Sequence, residues 1–317
     1  MTDRIALFAP LPAAAVTGAL PDAALDVVEI RPGDDAAAGA VGARIAIADW
    51  SATVRIAGEV VDALAPTCEL VQVPAAGLDS VDVDACRAAG IPVASCAGLN
   101  TVGVAEWCVW AAIDALRKLS WSDRALRAGS WEQLGHARYE LAGKTVGVVG
   151  MGDVGRAVAE RLAVFGVDLV YWTRRRRPPE EEARLAVRWA ELDDLLAEAD
   201  IVILAVALTA GTRHLLDAAR LTRMKPSAVV VNAARGEVTD EAALAAALRE
   251  GRLHGAAVDA FSTEPPPPDH PLVGEELAVL TPHVAGATAE SVGRILGRVF
   301  ANLTAVLEGG TPTGLVE

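Results

Sequence analysis

Short apolar runs alternate with longer helical patterns along most of this chain. RIALF (4–8), DVVEI (26–30), RIAIA (44–48), ELVQV (69–73) and IPVAS (91–95) are rich in β-branched residues and bounded by Pro, Gly or Asp. That pattern predicts five strands, and the helical stretches between them predict a parallel α/β sheet. The series closes near Ser95. A helix is predicted over Val102–Ser120, followed by a glycine-punctuated loop, AGSWEQLGHARYELAGK.

A second series starts at Thr145: TVGVVG (145–150), DLVYW (168–172), DIVILAV (200–206), AVVVNA (228–233), GAAVDA (255–260) and AVLTP (278–282). Helices are predicted between them over Arg156–Phe165, Leu192–Ala199, Asp217–Met224 and Asp240–Glu250, with a last one over Glu290–Leu307. The pattern describes two α/β units, 1–97 and 98–287. Chain order alone lets the last helix pack on either. PPPP at 265–268 predicts a stiff, extended loop.

Composition fits this picture. A chain of 317 residues has room for two domains, and alanine supplies much of the 52% apolar share, which predicts a helix-rich core of small side chains. The formal charge of −14 argues against nucleic-acid or anionic-membrane partners, which need a basic field. Cys68, Cys86, Cys96 and Cys108 have no metal-ligand spacing, so no metal site is expected and buried free thiols are. The N-terminus does not read as a signal peptide, and no apolar run reaches the ~18 residues of a membrane span. A cytoplasmic protein is expected.

Against that acidic background, YWTRRRRPPE (171–180) stands out. A solvated loop, a nucleic-acid patch or a pocket for one phosphate would each account for it, and the preceding segment decides. There, Gly150-x-Gly152-x-x-Gly155 directly follows an apolar strand and directly opens a helix, the context in which this motif binds a dinucleotide. Gly150 permits the turn, Gly152 lets the backbone approach a pyrophosphate, and Gly155 lets helix and strand pack closely. Asp153 and Val154 belong to the same cofactor loop. The next strand ends at Thr173, where an NAD-preferring site usually carries an acid for the ribose 2′-hydroxyl. A hydroxyl followed by Arg174 and Arg175 suits a 2′-phosphate instead. NADP(H) is therefore the expected cofactor, with NAD(H) possible. The competing reading is an exposed loop that offsets Glu180, Glu181 and Glu182. Arg176 and Arg177 are expected to be solvated.

Three later segments, VVNAARGEVTDEAAL (230–244), AAVDAFSTEPPPPDHPL (256–272) and VLTPHVAGAT (279–288), each place a polar residue just after a strand: Arg235, Glu264 and His283. Ligands of open α/β sheets gather at such carboxyl ends. With AAGLDSVDVDACRAAGIPVASCAGLNTVGVAE (75–106), these segments make nearly the whole chain resemble the D-isomer-specific 2-hydroxyacid dehydrogenase family, found in D-glycerate, glyoxylate and hydroxypyruvate reductases. The resemblance implies two doubly wound, Rossmann-like and flavodoxin-like domains with the active site in the cleft between them. A substrate domain would comprise 1–97 plus 288–317 and an NAD(P)-binding domain 98–287, and the protein would be a homodimer.

Reduction of a 2-keto acid needs a hydride, a proton and an anchor for the carboxylate. His283 is the candidate acid, with an ordinary pKa near ~6.5. Glu264 would orient it and favour its protonated form, and Arg235 would bind the carboxylate and polarise the carbonyl. By resemblance, backbone N–H groups near Ala76 and Gly77 also hold the carboxylate, Asp259 contacts the nicotinamide carboxamide, and Ala233 and Gly286 join the cofactor site. Two roles fit Asn100, substrate contact and helix N-cap. Two also fit Trp50, narrowing of the pocket and simple packing. His136, His214, His254 and His270 are expected to be surface or structural. Two comparisons with the family bear on function. Ala207 stands where members often carry Pro, a difference at the cofactor edge, and Glu264 stands where formate dehydrogenases carry Gln, which argues against a formate-type reaction. The expected function is NADPH-preferring reduction of a small 2-keto acid such as glyoxylate or hydroxypyruvate. The alternatives are an NAD-dependent D-2-hydroxyacid dehydrogenase of another substrate and a dinucleotide-sensing interaction protein like the C-terminal-binding corepressors.

Overall fold

Each apolar run of the sequence takes its place in one of two all-parallel sheets in the computed structural model, which describes residues 2–131, 133 and 135–316. Glu132 and Leu134, inside the predicted loop, lie outside the described residues. Contacts divide the chain into two units, residues 1–100 with 289–317 and residues 101–288, against boundaries after 97 and 287 read from the sequence. The first crossing sits at Asn100 because the helix Thr101–Arg117 belongs entirely to the second unit.

In the first unit, β1 (Asp3–Leu7), β2 (Leu25–Glu29), β3 (Ile45–Ile47), β4 (Leu70–Gln72) and β5 (Val93–Ala94) pair in the order β2-β1-β3-β4-β5. The helix Ala289–Leu307 packs here. Its Val299, Leu303 and Val306 share a core with Ile5, Leu7, Ile45, Ile47 and Leu70. Buried Asn302 donates to Gln72 Oε1 at 2.7 Å. Residues 314–316 lie along β5, with Ser95 N donating to the Gly314 carbonyl and Val316 N to that of Val93, both at 2.8 Å.

The second unit holds β6 (Thr145–Val149), β7 (Asp168–Trp172), β8 (Val187–Trp189), β9 (Ile201–Leu204), β10 (Val229–Asn232), β11 (Gly255–Val258) and β12 (Ala278–Leu280). Their order is β12-β11-β10-β9-β6-β7-β8, so strand order reverses between β6 and β9, the switch point at which such sheets bind ligands. Both faces are covered. Val146, Val148, Ile201, Ile203, Val229 and Val231 enter one core, and Val149, Val202, Leu204 and Val230 the other. Burial on both faces explains why these strands read as continuous apolar runs. On one face the helix Thr101–Arg117 presents Val104, Ala105, Cys108, Ala111, Ala112, Ala115 and Leu116, one stripe at helical spacing.

Local departures from the predicted elements have physical causes. The helix predicted over Val102–Ser120 stops at Arg117, and a second helix runs over Leu119–Arg127. Lys118 separates them in the left-handed region, φ +57°, with its ammonium buried against the His254 carbonyl. Burial lowers the pKa of that ammonium to about 8. The helix Pro179–Leu185 and the edge strand β8 are additional elements. The four cysteines are free and buried, and desolvation pushes the Cys68 and Cys108 thiols up to about 12.

Candidate functional site

The glycine turn lies at the carboxyl end of β6, at the switch point. Gly150 has φ +104°, and a Cβ there would come within 2.3 Å of the Ala205 carbonyl oxygen. At Gly155 a Cβ would meet the Gly150 carbonyl oxygen at 2.0 Å, so both glycines answer to the protein's own packing. Gly152 differs, since a Cβ there would meet nothing within 4 Å. It caps the ten-residue helix Asp153–Leu162, whose first N–H groups and positive dipole end face the turn. Open space beside a glycine at a helix N-terminus fits the pyrophosphate of a nicotinamide dinucleotide. Val154 is half-buried in the helix, and Asp153 is exposed and 3.7 Å from Arg156.

The arginine run at the end of β7 is not a uniform loop. Arg174 and Arg175 are exposed, and among the described residues neither makes an ion pair or side-chain hydrogen bond. The Thr173 hydroxyl donates to the Arg175 carbonyl at 2.6 Å and so stiffens the turn. Arg176 is exposed, in keeping with the expectation of a solvated side chain, whereas Arg177 is half-buried and departs from it. Arg176 makes two 2.8 Å bonds to Glu182. The buried Tyr171 hydroxyl also donates to Glu182, at 2.7 Å, and together they hold that carboxyl down at about 2. The Arg177 backbone N–H donates to the Tyr171 hydroxyl at 2.8 Å, while its guanidinium donates to the Met151 carbonyl at 2.5 Å. Arg177 thus ties the loop after β7 to the glycine turn. The loop after β9 carries Ala207, whose carbonyl accepts from the buried Thr212 hydroxyl at 2.7 Å. That bond fastens the loop.

Arg235, Glu264 and His283 come together at the ends of β10, β11 and β12. After β10, buried Asn232 accepts from Ala234 N and donates to the Arg235 carbonyl, both at 3.0 Å. This closes a turn containing half-buried Ala233 and presents Arg235. At Gly236 a Cβ would come within 2.1 Å of the Phe261–Ser262 backbone, so glycine is required for the β10 and β11 loops to touch. In the β11 loop, Glu264 Oε1 accepts from Phe261 N at 2.9 Å. His283 Nδ1 lies 2.9 and 2.8 Å from the two Glu264 oxygens. That hydrogen bond raises the His283 pKa above the ordinary value, against desolvation and the nearby Arg235 charge. The Glu264 pKa is lowered. Burial acts against this, but the His283 and Phe261 hydrogen bonds outweigh it, with the charges of His283 and Arg235 in support.

Asp259 ties down the loop that carries His283. It is 2% exposed, and its carboxylate accepts from Thr281 Oγ1 at 2.5 Å, Val284 N at 2.9 Å and Ala285 N at 2.8 Å. Its carbonyl accepts from His283 N at 2.7 Å. Gly286 lies in the turn that follows. His270, expected to be surface or structural, is buried and bonded to Glu241. Asn232, Gly236 and Glu241 carry the loops of this site and were missed in the sequence reading. The glycine directly after Arg235 was the available signal.

In the first unit, Ala76 ends a bend after β4 and is exposed, Gly77 directly follows it, and Asn100 directly precedes the helix Thr101–Arg117. Trp50 is 43% exposed. Buried Asp49 accepts from the backbone N–H groups of Ser51, Thr53 and Val54 at 2.8–3.1 Å and so holds the Trp50 loop. Among the described residues, no group of His, Cys, Asp and Glu is placed to hold a metal, and no helix is long and apolar enough to cross a membrane.

Comparison with known proteins extends these observations. Residues 109–285 match the family described as D-isomer specific 2-hydroxyacid dehydrogenase, NAD binding domain. A glyoxylate reductase of Thermofilum pendens is 39% identical over 269 residues, covering 84% of this chain and 79% of the relative. A solved structure of a protein from Thermus thermophilus has a TM-score of 0.87 at 33% identity, covering 99% of this chain and 100% of that one. A glyoxylate reductase from Paecilomyes thermophila also has a TM-score of 0.87, at 30% identity, covering 99% of this chain and 98% of that one.

Proposed function

The chain belongs to the D-isomer specific 2-hydroxyacid dehydrogenase family, and from that premise we propose an NADPH-preferring reductase of small 2-keto acids, with glyoxylate and hydroxypyruvate as the leading substrates. Membership makes it an NAD(P)-dependent dehydrogenase of a small 2-hydroxy or 2-keto acid. The observation that carries the finer reading is the His283–Glu264 pair, whose Nδ1 contact at 2.8 Å lies within reach of the Arg235 charge. Glu264 occupies Nδ1, which leaves Nε2 as the nitrogen that gives a proton to the ketone oxygen. The reverse reaction uses the same nitrogen as base. Arg235 holds the substrate carboxylate and polarises the carbonyl. The bound nicotinamide supplies the hydride.

Thr173, Arg174 and Arg175 support the preference for NADPH. No acid stands at the strand end to repel a 2′-phosphate, and two exposed guanidiniums lie beside it. In this reading the unit 1–100 with 289–317 binds substrate, through Ala76, Gly77 and Asn100, and the unit 101–288 binds cofactor. Asp259 and Gly286 serve the nicotinamide end. A homodimer is expected.

The test is a panel of 2-keto acids assayed with NADPH and NADH. Turnover of glyoxylate or hydroxypyruvate with a lower KM for NADPH is expected. His283→Ala should lower kcat by roughly 10²–10⁴-fold, the usual contribution of general acid–base catalysis, with the fold intact by circular dichroism. Absence of turnover across the panel with both cofactors would sink the assignment and favour a dinucleotide-sensing interaction protein.

A further inference from the structure

A second acid–imidazole cluster bonds to the same turn as the first. Glu241 opens the helix Glu241–Arg249 and is 9% exposed, and His270 is 8% exposed. Glu241 Oε1 accepts from Ser262 N at 3.0 Å, and Oε2 accepts from the Ser262 hydroxyl and from His270 Nε2, the latter at 3.1 Å. The tautomer follows from the bonding. His270 Nδ1 accepts from Leu272 N at 3.3 Å, so the proton sits on Nε2 and points at Glu241. Phe261 meets the His270 ring edge-to-face, centroids 5.5 Å apart.

Two successive backbone amides connect this cluster to the reacting pair. Phe261 N donates to Glu264 and Ser262 N to Glu241, so adjacent peptides are fixed by the two carboxylates. Gly236 presses on the same two residues at a distance no Cβ could occupy. Neither Glu241 nor His270 contacts His283, yet the turn that aims the Glu264 carboxylate hangs on both.

We propose that Glu241 and His270 are positioning residues for the proton donor: through Ser262 they hold the 261–264 turn, and with it the Glu264 carboxylate, against Nδ1 of His283. This rests on the reading of His283 as the proton donor. Neither residue gives or takes a proton in the reaction. The groups that face His283 are Glu264, Arg235 and Asp259. Around His270, Arg249, Asp269, Glu275 and Glu276 line the adjoining surface cavity, and Arg249 is paired with Glu275.

The experiment uses the full chain. His270→Leu keeps the apolar contact with Phe261 and removes the donor, whereas His270→Gln keeps a donor. The titration of His283 is followed by proton NMR of its imidazole, assigned by its disappearance in His283→Asn, together with kcat against pH for NADPH-dependent reduction. His270→Leu is expected to move the His283 titration down toward ~6.5. It should also lower kcat above neutral pH by about tenfold, as general-acid efficiency falls, with the KM for NADPH unchanged. His270→Gln should restore both. Ser262→Ala, at an exposed residue, is the gentler second variant and should shift the titration in the same direction by less. An unmoved His283 titration in a folded His270→Leu or, if that variant does not fold, in Ser262→Ala overturns the proposal. A shifted titration together with full activity in His283→Asn would uphold the positioning and reject His283 as the donor.

Discussion

His283 sits at φ +54°, in the left-handed region that His, Asn and Asp enter more readily than most residues. The 2.7 Å bond from its amide to the Asp259 carbonyl helps fix that conformation. Its raised pKa sets a pH dependence with a definite sign. In the proposed reaction, reduction needs the protonated imidazole, so its rate should persist above pH ~6.5 and fall as pH rises through the raised value. Oxidation needs the neutral form and should rise through the same value. Glu264→Gln removes the interaction that contributes most to the shift, so both transitions should move to lower pH in rate profiles measured in the two directions. The arginines separate in the same manner. Loss of Arg174 and Arg175 together should raise the KM for NADPH about tenfold or more and leave NADH nearly unchanged. A charge-assisted hydrogen bond contributes roughly 1.5 kcal/mol or more, and ~1.4 kcal/mol is tenfold. Arg177→Ala should weaken both cofactors alike, because its guanidinium holds the Met151 carbonyl of the shared turn. Equal effects of the double variant on both cofactors would return Arg174 and Arg175 to a solvated loop.

Among the elements, the glycine turn gives the sharpest contrast. Gly150→Ala drives a Cβ into the Ala205 carbonyl at φ +104°, so it should cost about 2–5 kcal/mol through backbone strain and overpacking. Gly152→Ala meets only open space in the protein. It should melt like the parent and yet bind either dinucleotide more weakly, which thermal denaturation and cofactor titration will distinguish. Strands β6, β7, β9 and β10 were legible because burial on both faces demands unbroken apolar runs. Edge strand β8 was not, with Arg188 exposed at its centre. The helix Pro179–Leu185 was readable in principle, since Pro at its first turn followed by three glutamates is a helix start. The arginines before it drew the segment into a loop reading. Motif residues such as Arg235, Glu264 and His283 can be read from their place after strands. Their supports cannot, because Asn232, Glu241 and His270 matter only through partners brought close by folding.

At the scale of the whole molecule, the chain leaves the first unit after Asn100 and returns to it at Ala289. The second unit is continuous, whereas the first is complete only when the last helix arrives. Val299, Leu303 and Val306 are each at most 4% exposed, and burial of each contributes about 1.5–3 kcal/mol. Asn302 and the 314–316 segment add hydrogen bonds to Gln72 and β5. The last helix therefore belongs to its unit by packing as much as by covalent connection. If a protease site is introduced at Thr288–Ala289 and cleaved, the tail should remain bound through gel filtration and be released in denaturant; loss of the tail under native conditions would show the packing to be insufficient. Retention would make this junction a place where the protein can be split into two polypeptides and reconstituted, or its termini relocated, with the order of synthesis uncoupled from the order of assembly.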